Sequence, residues 1–223
     1  MMLTIREAME QRHSVRTYLD TPIPAEIRKE LDAAAEEYSA ESGLHLFFRY
    51  DDPAGFDSFM AHYGRLINVK NYIVLAGKTR EGFDFDCGYY GEKLTLLAQQ
   101  LGLNSCWTAM SFSKKNVRRI LPEGESLCMV IALGYGKTQG NAHRNRPLQT
   151  LAPDYENAPD WFKAGADAAL LAPTAMNQQK FALRLENQEA TLRVKGFGPY
   201  TQVDLGIAAC HFEIGSGKKA KII

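Results

Sequence analysis

Apolar positions along the chain follow two spacings, one near 3.6 residues and one near 2, and the switches between them mark its elements. Near the start, Leu3, Ile5 and Met9 stand among charges, as on a short amphipathic helix. Val15 to Tyr18 follows as a short extended piece. Residues 21–38 predict a second helix: Pro24 suits its first turn, Glu26 the positive end of its dipole, and Ile27, Leu31 and Ala34 share a face. Residues 44–50 read as a strand, and residues 56–67 as a helix with Phe56, Phe59, Met60 and Tyr63 at core spacing. Residues 71–78 predict a buried strand.

The strongest helical pattern lies within residues 86–103, after the first turn. Leu94, Leu97, Ala98 and Leu101 make its face, and Gly102 is placed to stop it. Residues 104–110 form a strand. Ser113 is an N-cap candidate for a helix over 114–121 that Pro122 ends. Residues 126–136 are apolar on both faces, which predicts a central strand. A polar connection, 137–153, leads to a helix over 161–172, a loop over 173–180 and two strands, 181–188 and 190–197. These pair as a hairpin through Gln188 and Glu189. A last helix covers 201–215, and 216–223 is expected to be a solvated, mobile tail.

Segments of the first part recur in the second. Residues 31–50 lie on 166–185 without a gap, matching Asp32 with Asp167. Later Asp86-Cys87-Gly88 matches Asp204-Leu205-Gly206. The identities are few enough for coincidence. Both matches nevertheless keep one order of helix, loop, strand and a helix opening with Asp-x-Gly, as two related, pseudo-symmetric halves would. The halves divide as 1–150 and 151–223 within one intertwined unit.

The 223 residues suffice for one large domain or two small halves, and a zero formal charge offers no global field for nucleic acid or an anionic membrane. Any anion site must be local. Cys87, Cys106, Cys128 and Cys210 form no C-x-x-C pair and read as buried free thiols of a reducing compartment. No metal site is expected. The first turns are interrupted by Arg6, Glu7 and Glu10, unlike a signal peptide, and no apolar run approaches the ~20 residues of a membrane span. A cytoplasmic protein is the expectation.

Chemistry concentrates in three places. Arg12, His13, Ser14 and Arg16 fall within five positions, and extended alternation would point Arg12, Ser14 and Arg16 to one side. His143, Arg144, Asn145 and Arg146 follow the central strand. Paired arginines clamp a phosphate through bidentate bonds, although either cluster alone could be a solvated surface. In the loop of Pro173, Thr174, Asn177 and Gln179, both amides offer donors and acceptors suited to a heterocycle edge, or to a plain polar turn. No dinucleotide fingerprint, P-loop, nucleophile elbow or zinc-protease motif occurs.

The stretches RHSVRTY, APTAMNQQKF, GYYGEKLTLLAQQLGLNSCW and ALGYGK followed by RNRPL resemble the motifs of the nitroreductase family of flavoenzymes. The resemblance implies an α+β fold with a mostly antiparallel central sheet flanked by helices. It also implies non-covalent FMN, NADH or NADPH as reductant, and ping-pong hydride transfer through flavin N5 to a flat electron-poor acceptor such as a nitroaromatic or quinone. In usual members the Ala-Pro-Ser-x-x-Asn loop follows the first strand–helix unit and serves the partner subunit's flavin. Here it lies after residue 170, so the chain is similar to the TM nitroreductase subgroup, in which two halves are fused.

One FMN per chain follows, in a monomer with an internal pseudo-dimer or a weak homo-oligomer, with a small-molecule acceptor and neither nucleic acid nor membrane as partner. On this resemblance Arg12, Ser14 and Arg146 contact the phosphate, with His13 nearby. Arg16 and Arg144 lie by the ribityl chain or pyrimidine edge. Pro173, Thr174, Asn177 and Gln179 cover or edge the ring. The backbone of Tyr90 and Gly91 approaches N5, and Tyr63 and Gly64 line the open face. Lys180 and Phe181 stand where Pro and Trp are common. A flavin-binding carrier or redox sensor without turnover is the alternative, and ene reduction a third possibility.

Overall fold

A computed structural model describes residues 2–142 and 144–223, so His143 of the second basic cluster and the side chains of Met60 and His62 lie outside what is described. Strands β1 (His45–Arg49), β2 (Asn71–Gly77), β3 (Asn104–Thr108) and β4 (Ser126–Gly134) pair antiparallel throughout, in the order β1-β2-β4-β3. The doubly apolar β4 is thus internal, as expected. Alternation along β2 and β4 sends side chains to two cores. Ile73, Leu75, Met129, Ile131 and Leu133 face one core, with helices α2 (Ala25–Ser42) and α4 (Phe83–Gln100). Tyr72, Val74, Ala76, Val130 and Ala132 face the other, with Val15, Tyr18 and Phe56. Both faces of the sheet are therefore covered, which explains the near-continuous apolar runs.

The second half contributes α7 (Asp160–Ala169), the hairpin β5 (Phe181–Glu186) and β6 (Glu189–Val194), and α8 (Thr201–Ser216). Its order of helix, two antiparallel strands and helix matches α2-β1-β2-α4. Helices α4 and α8 touch backbone to backbone. A Cβ on Gly88 would collide with the Val203 carbonyl, and one on Gly206 with the Phe85 carbonyl. Each glycine lies three residues after the carbonyl that the other meets, so the contact reads the same from both sides.

Four expectations change in detail. The hairpin turns at Asn187-Gln188, one residue early, because both residues adopt positive φ (50° and 66°), as a two-residue turn that matches strand twist requires. The tail is not free, since Lys221–Ile222 forms β7 parallel to Thr191–Leu192 on the open edge of β6. The helix over 56–67 shrinks to α3 (Phe59–Tyr63), with Phe59 and Tyr63 exposed rather than in the core. Its continuation is broken where Arg65 and Asn68 take positive φ. Ser113 occupies an N-cap position without a side-chain capping bond. No described helix is long and apolar enough to cross a membrane.

Candidate functional site

Helix α1 (Ile5–Gln11) is fixed by a capping box: Glu7 N–H donates to Thr4 Oγ1 (3.2 Å) and Thr4 N–H to Glu7 Oε2 (2.7 Å). Arg12 ends it, its N–H donating to the Ala8 carbonyl at 2.9 Å. The chain then runs extended along β3, where Val15 N–H donates to Ser105 O (3.0 Å). Ile67 N–H donates to Arg16 O (2.8 Å) and Tyr18 N–H to Ile67 O (3.1 Å), which brings the stretch after Tyr63 and Gly64 beside the basic segment.

Val15 is buried between exposed Ser14 and Arg16, as alternation predicts. Arg12 breaks the expected pattern. As the helix C-cap it turns inward and is only 2% exposed. Its Nε and Nη1 have no hydrogen-bond partner among the described residues, and neither has the buried Ser105 Oγ. The Cys106 thiol lies where burial and the influences of Arg16, Arg12 and Ser14 meet. The two arginines and Ser14 pull its pKa down against burial, which dominates and leaves it raised. Arg12, Ser14 and Arg16 thus share one neighbourhood, although Arg12 enters it from beneath.

The second basic segment is led to the first by the chain after β4. Gly136 N–H donates to Asn104 Oδ1 (2.8 Å), and Gly140 (φ +75°) lies so close to His13 that a Cβ would stand 2.7 Å from His13 Cβ. Beyond it, exposed Arg144 and Arg146 are tied to the 173–180 loop through their backbone. Asn177 Nδ2 donates to Arg144 O (2.7 Å) and Arg146 N–H to Gln179 Oε1 (2.6 Å). Gln179 Nε2 donates to Leu170 O (3.1 Å) and Asn145 Oδ1 (3.3 Å).

The fully buried Gln179 amide is therefore taken up by the protein itself, which corrects its expected place at the ring edge. Met176, Asn177 and Gln179 all adopt positive φ, a local strain held by Thr174 Oγ1, which accepts from Gln179 N–H (3.0 Å). Asp204 of the second Asp-x-Gly anchors the loop from below, accepting from Ala175 N–H at 2.9 Å. Burial raises the Asp204 pKa to about 6, against the lowering effects of that N–H and of Lys180.

These loops and the two-faced sheet are what known proteins can be compared with. The family described as "Putative TM nitroreductase" matches residues 4–216. The chain belongs to this family. Among solved structures, a "putative nitroreductase" from Thermotoga maritima is 22% identical, with 96% of this chain and 84% of that one covered and a TM-score of 0.69. A nitroreductase-class protein from Bacteroides thetaiotaomicron is 24% identical over 65% of this chain and 95% of that one, with a TM-score of 0.52. One from Desulfovibrio desulfuricans, solved in complex with FMN, is 19% identical over 67% and 95%, with a TM-score of 0.51. All three share the fold. No curated protein matches.

In this nitroreductase-family chain, Tyr90 and Gly91 lie inside α4 rather than at its start, because the helix begins at Phe83. Their peptide groups belong to the helix, and the Gly91 carbonyl also accepts from Thr95 Oγ1 (2.8 Å). A Cβ at Gly91 would meet Trp107 at 2.7 Å and Leu75 at 2.9 Å, so what needs the glycine is core packing. The Tyr90 ring packs on Tyr38, Tyr89 and Lys93, about 200° around the helix from Glu92, which faces Arg12. The expected approach of this backbone to N5 is corrected accordingly.

Sequence reading missed a buried group at the same place: Glu92 of α4, Trp107 of β3 and His211 of α8, joined behind Arg12. The only signal was charge at apolar helical positions, which periodicity alone does not separate from a solvated face.

Proposed function

We propose that the chain is an FMN-dependent oxidoreductase that takes reducing equivalents from NADH or NADPH and passes them, in ping-pong order, to a flat electron-poor acceptor such as a nitroaromatic or quinone. The observation that carries this reading is the Arg12 guanidinium, buried with Nε and Nη1 making no hydrogen bond among the described residues; the Ser105 hydroxyl, on the strand along which the basic segment runs, is likewise buried without one. A charged donor left unpaired inside a protein costs about 1–3 kcal/mol or more, and a phosphate removes that cost through charge-assisted bonds. Family membership supplies the rest of the support, together with an FMN-bound relative of the same fold.

The residues fit the group. Arg12 and Ser14 would hold its phosphate, with His13 and Arg146 alongside. Arg16 and Arg144 would place positive charge along the ribityl chain and pyrimidine edge, where it stabilises an anionic reduced ring. Pro173, Thr174 and Asn177 would border the ring from a loop that Asp204 and Gln179 keep rigid. Tyr63 and Gly64, joined to the basic segment through Ile67, would line the face that reductant and acceptor visit in turn. FMN supplies two-electron hydride exchange at N5, so no side chain need act as an acid.

The symmetric contact of Gly88 and Gly206, and the equal order of elements on either side of it, support a fused pair with one flavin. Visible absorption with flavin quantitation tests this. One FMN per chain is expected; none, or two, would refute it.

A further inference from the structure

We propose that the buried pair Glu92–His211 sets the net charge around Arg12 and so positions it for phosphate, making a residue of the last helix a positioning residue for the first basic segment. The inference rests on the FMN reading above. Arg12 and Glu92 have side chains 1% and 0% exposed, and Glu92 Oε1 lies 3.8 Å from Arg12 Nε, close enough for attraction but too long for a hydrogen bond. Glu92 Oε2 accepts from Trp107 Nε1–H at 2.8 Å, and Oε1 lies 2.9 Å from His211 Nε2.

The proton inventory follows from the partners. His211 Nδ1 lies 3.1 Å from the Ala168 carbonyl, which can only accept, so Nδ1 carries a proton. A second proton must lie between Nε2 and Oε1, because two bare lone pairs would repel at that distance. Whichever atom holds it, Glu92 and His211 together are neutral, and with Arg12 the cluster carries one positive charge. Without the imidazole, Glu92 would be a bare carboxylate held by Trp107 and facing Arg12. The cluster would then be neutral, and Glu92 would compete with the phosphate for the guanidinium. His211 reaches Glu92 because α4 and α8 meet backbone to backbone at Gly88 and Gly206. His211 thereby tunes the phosphate seat through Glu92.

Titrations of FMN and of riboflavin, which lacks the phosphate, into the full-length chain test this in wild type, His211→Gln, Glu92→Gln and the double variant. His211→Gln is expected to weaken FMN at least about tenfold, or about 1.4 kcal/mol, and to leave riboflavin within about twofold. The double variant, whose cluster again carries one positive charge, should return to within about threefold of wild type. A loss of less than about tenfold, a parallel loss of riboflavin, or a double variant that fails to recover would overturn the inference while leaving the flavin reading intact. Should His211→Gln not fold, His211→Asn, which likewise leaves Glu92 without the shared proton, replaces it alone and combined with Glu92→Gln: a loss of at least about tenfold for FMN that the second substitution restores supports the proposal, and a smaller or unrestored loss overturns it. Wild type that binds neither flavin would defeat the FMN reading and the inference with it.

Discussion

Replacing Asp204 by Asn should stabilise the protein at neutral pH and leave the loop anchor in place. The carboxyl is 4% exposed, and burial is the largest influence on it, raising its pKa from 3.8 to about 6. Because the folded state holds this proton more tightly than the unfolded state, the folded protein gains stability as pH falls through 6 toward 3.8. It loses that contribution as pH rises through the same window. At 1.36 kcal/mol for each pH unit between the two values, the ionised carboxylate costs about 3 kcal/mol at pH 7. An Asn side chain carries no such charge, and its oxygen can still accept from Ala175 N–H.

Urea unfolding of both proteins without added flavin, from pH 4.5 to 7.5, reads the difference directly. The variant's advantage should be near its full ~3 kcal/mol at pH 7.5 and shrink to about 1 kcal/mol at pH 4.5. Other carboxylates titrate alike in both proteins and cancel. A difference independent of pH, or one that grows on acidification, would refute the assignment of a raised, burial-dominated carboxyl to this position.

Other consequences follow from the same geometry. The double substitution Arg12→Ala with Arg146→Ala should release FMN while circular dichroism stays native; stoichiometric flavin retained through gel filtration would show that these arginines hold no phosphate. Gly206→Ala should destabilise by about 3 kcal/mol or more, since its methyl group would run into the Phe85 carbonyl and the Tyr89 backbone nitrogen of α4, and a melting temperature within a degree of wild type would count against the helix contact. Gln179→Ala strands the Arg146 N–H, so a loss of about 1–3 kcal/mol and weaker flavin retention are expected. Anaerobic NADH or NADPH should bleach the bound flavin within seconds. A spectrum that stays oxidised with both would favour the carrier.

Much of the architecture was legible in the residue pattern because strand and helix periodicity are local consequences of where side chains point. The dual burial of β4, the long α4 and the hairpin after residue 180 all follow from runs of at most 18 residues. The supply of donors suited to an anion was legible too, since Arg12, Ser14, Arg16, Arg144 and Arg146 carry N–H and O–H groups wherever the chain places them. Motif resemblance named the family that the match over residues 4–216 shows.

What only tertiary structure decided are the roles that depend on partners distant in the chain. Alternation put Arg12 beside Ser14, but the end of α1 turned it inward onto Glu92. Gln179 looked free to meet a ligand until the fold brought Arg146 N–H and the Leu170 carbonyl to its amide. Gly91 looked like a concession to a cofactor and proved to be one to Trp107 and Leu75. Periodicity records which face of an element is buried, whereas the identity of the group waiting on that face depends on long-range packing. Here that packing is set by two glycines that let α4 and α8 meet.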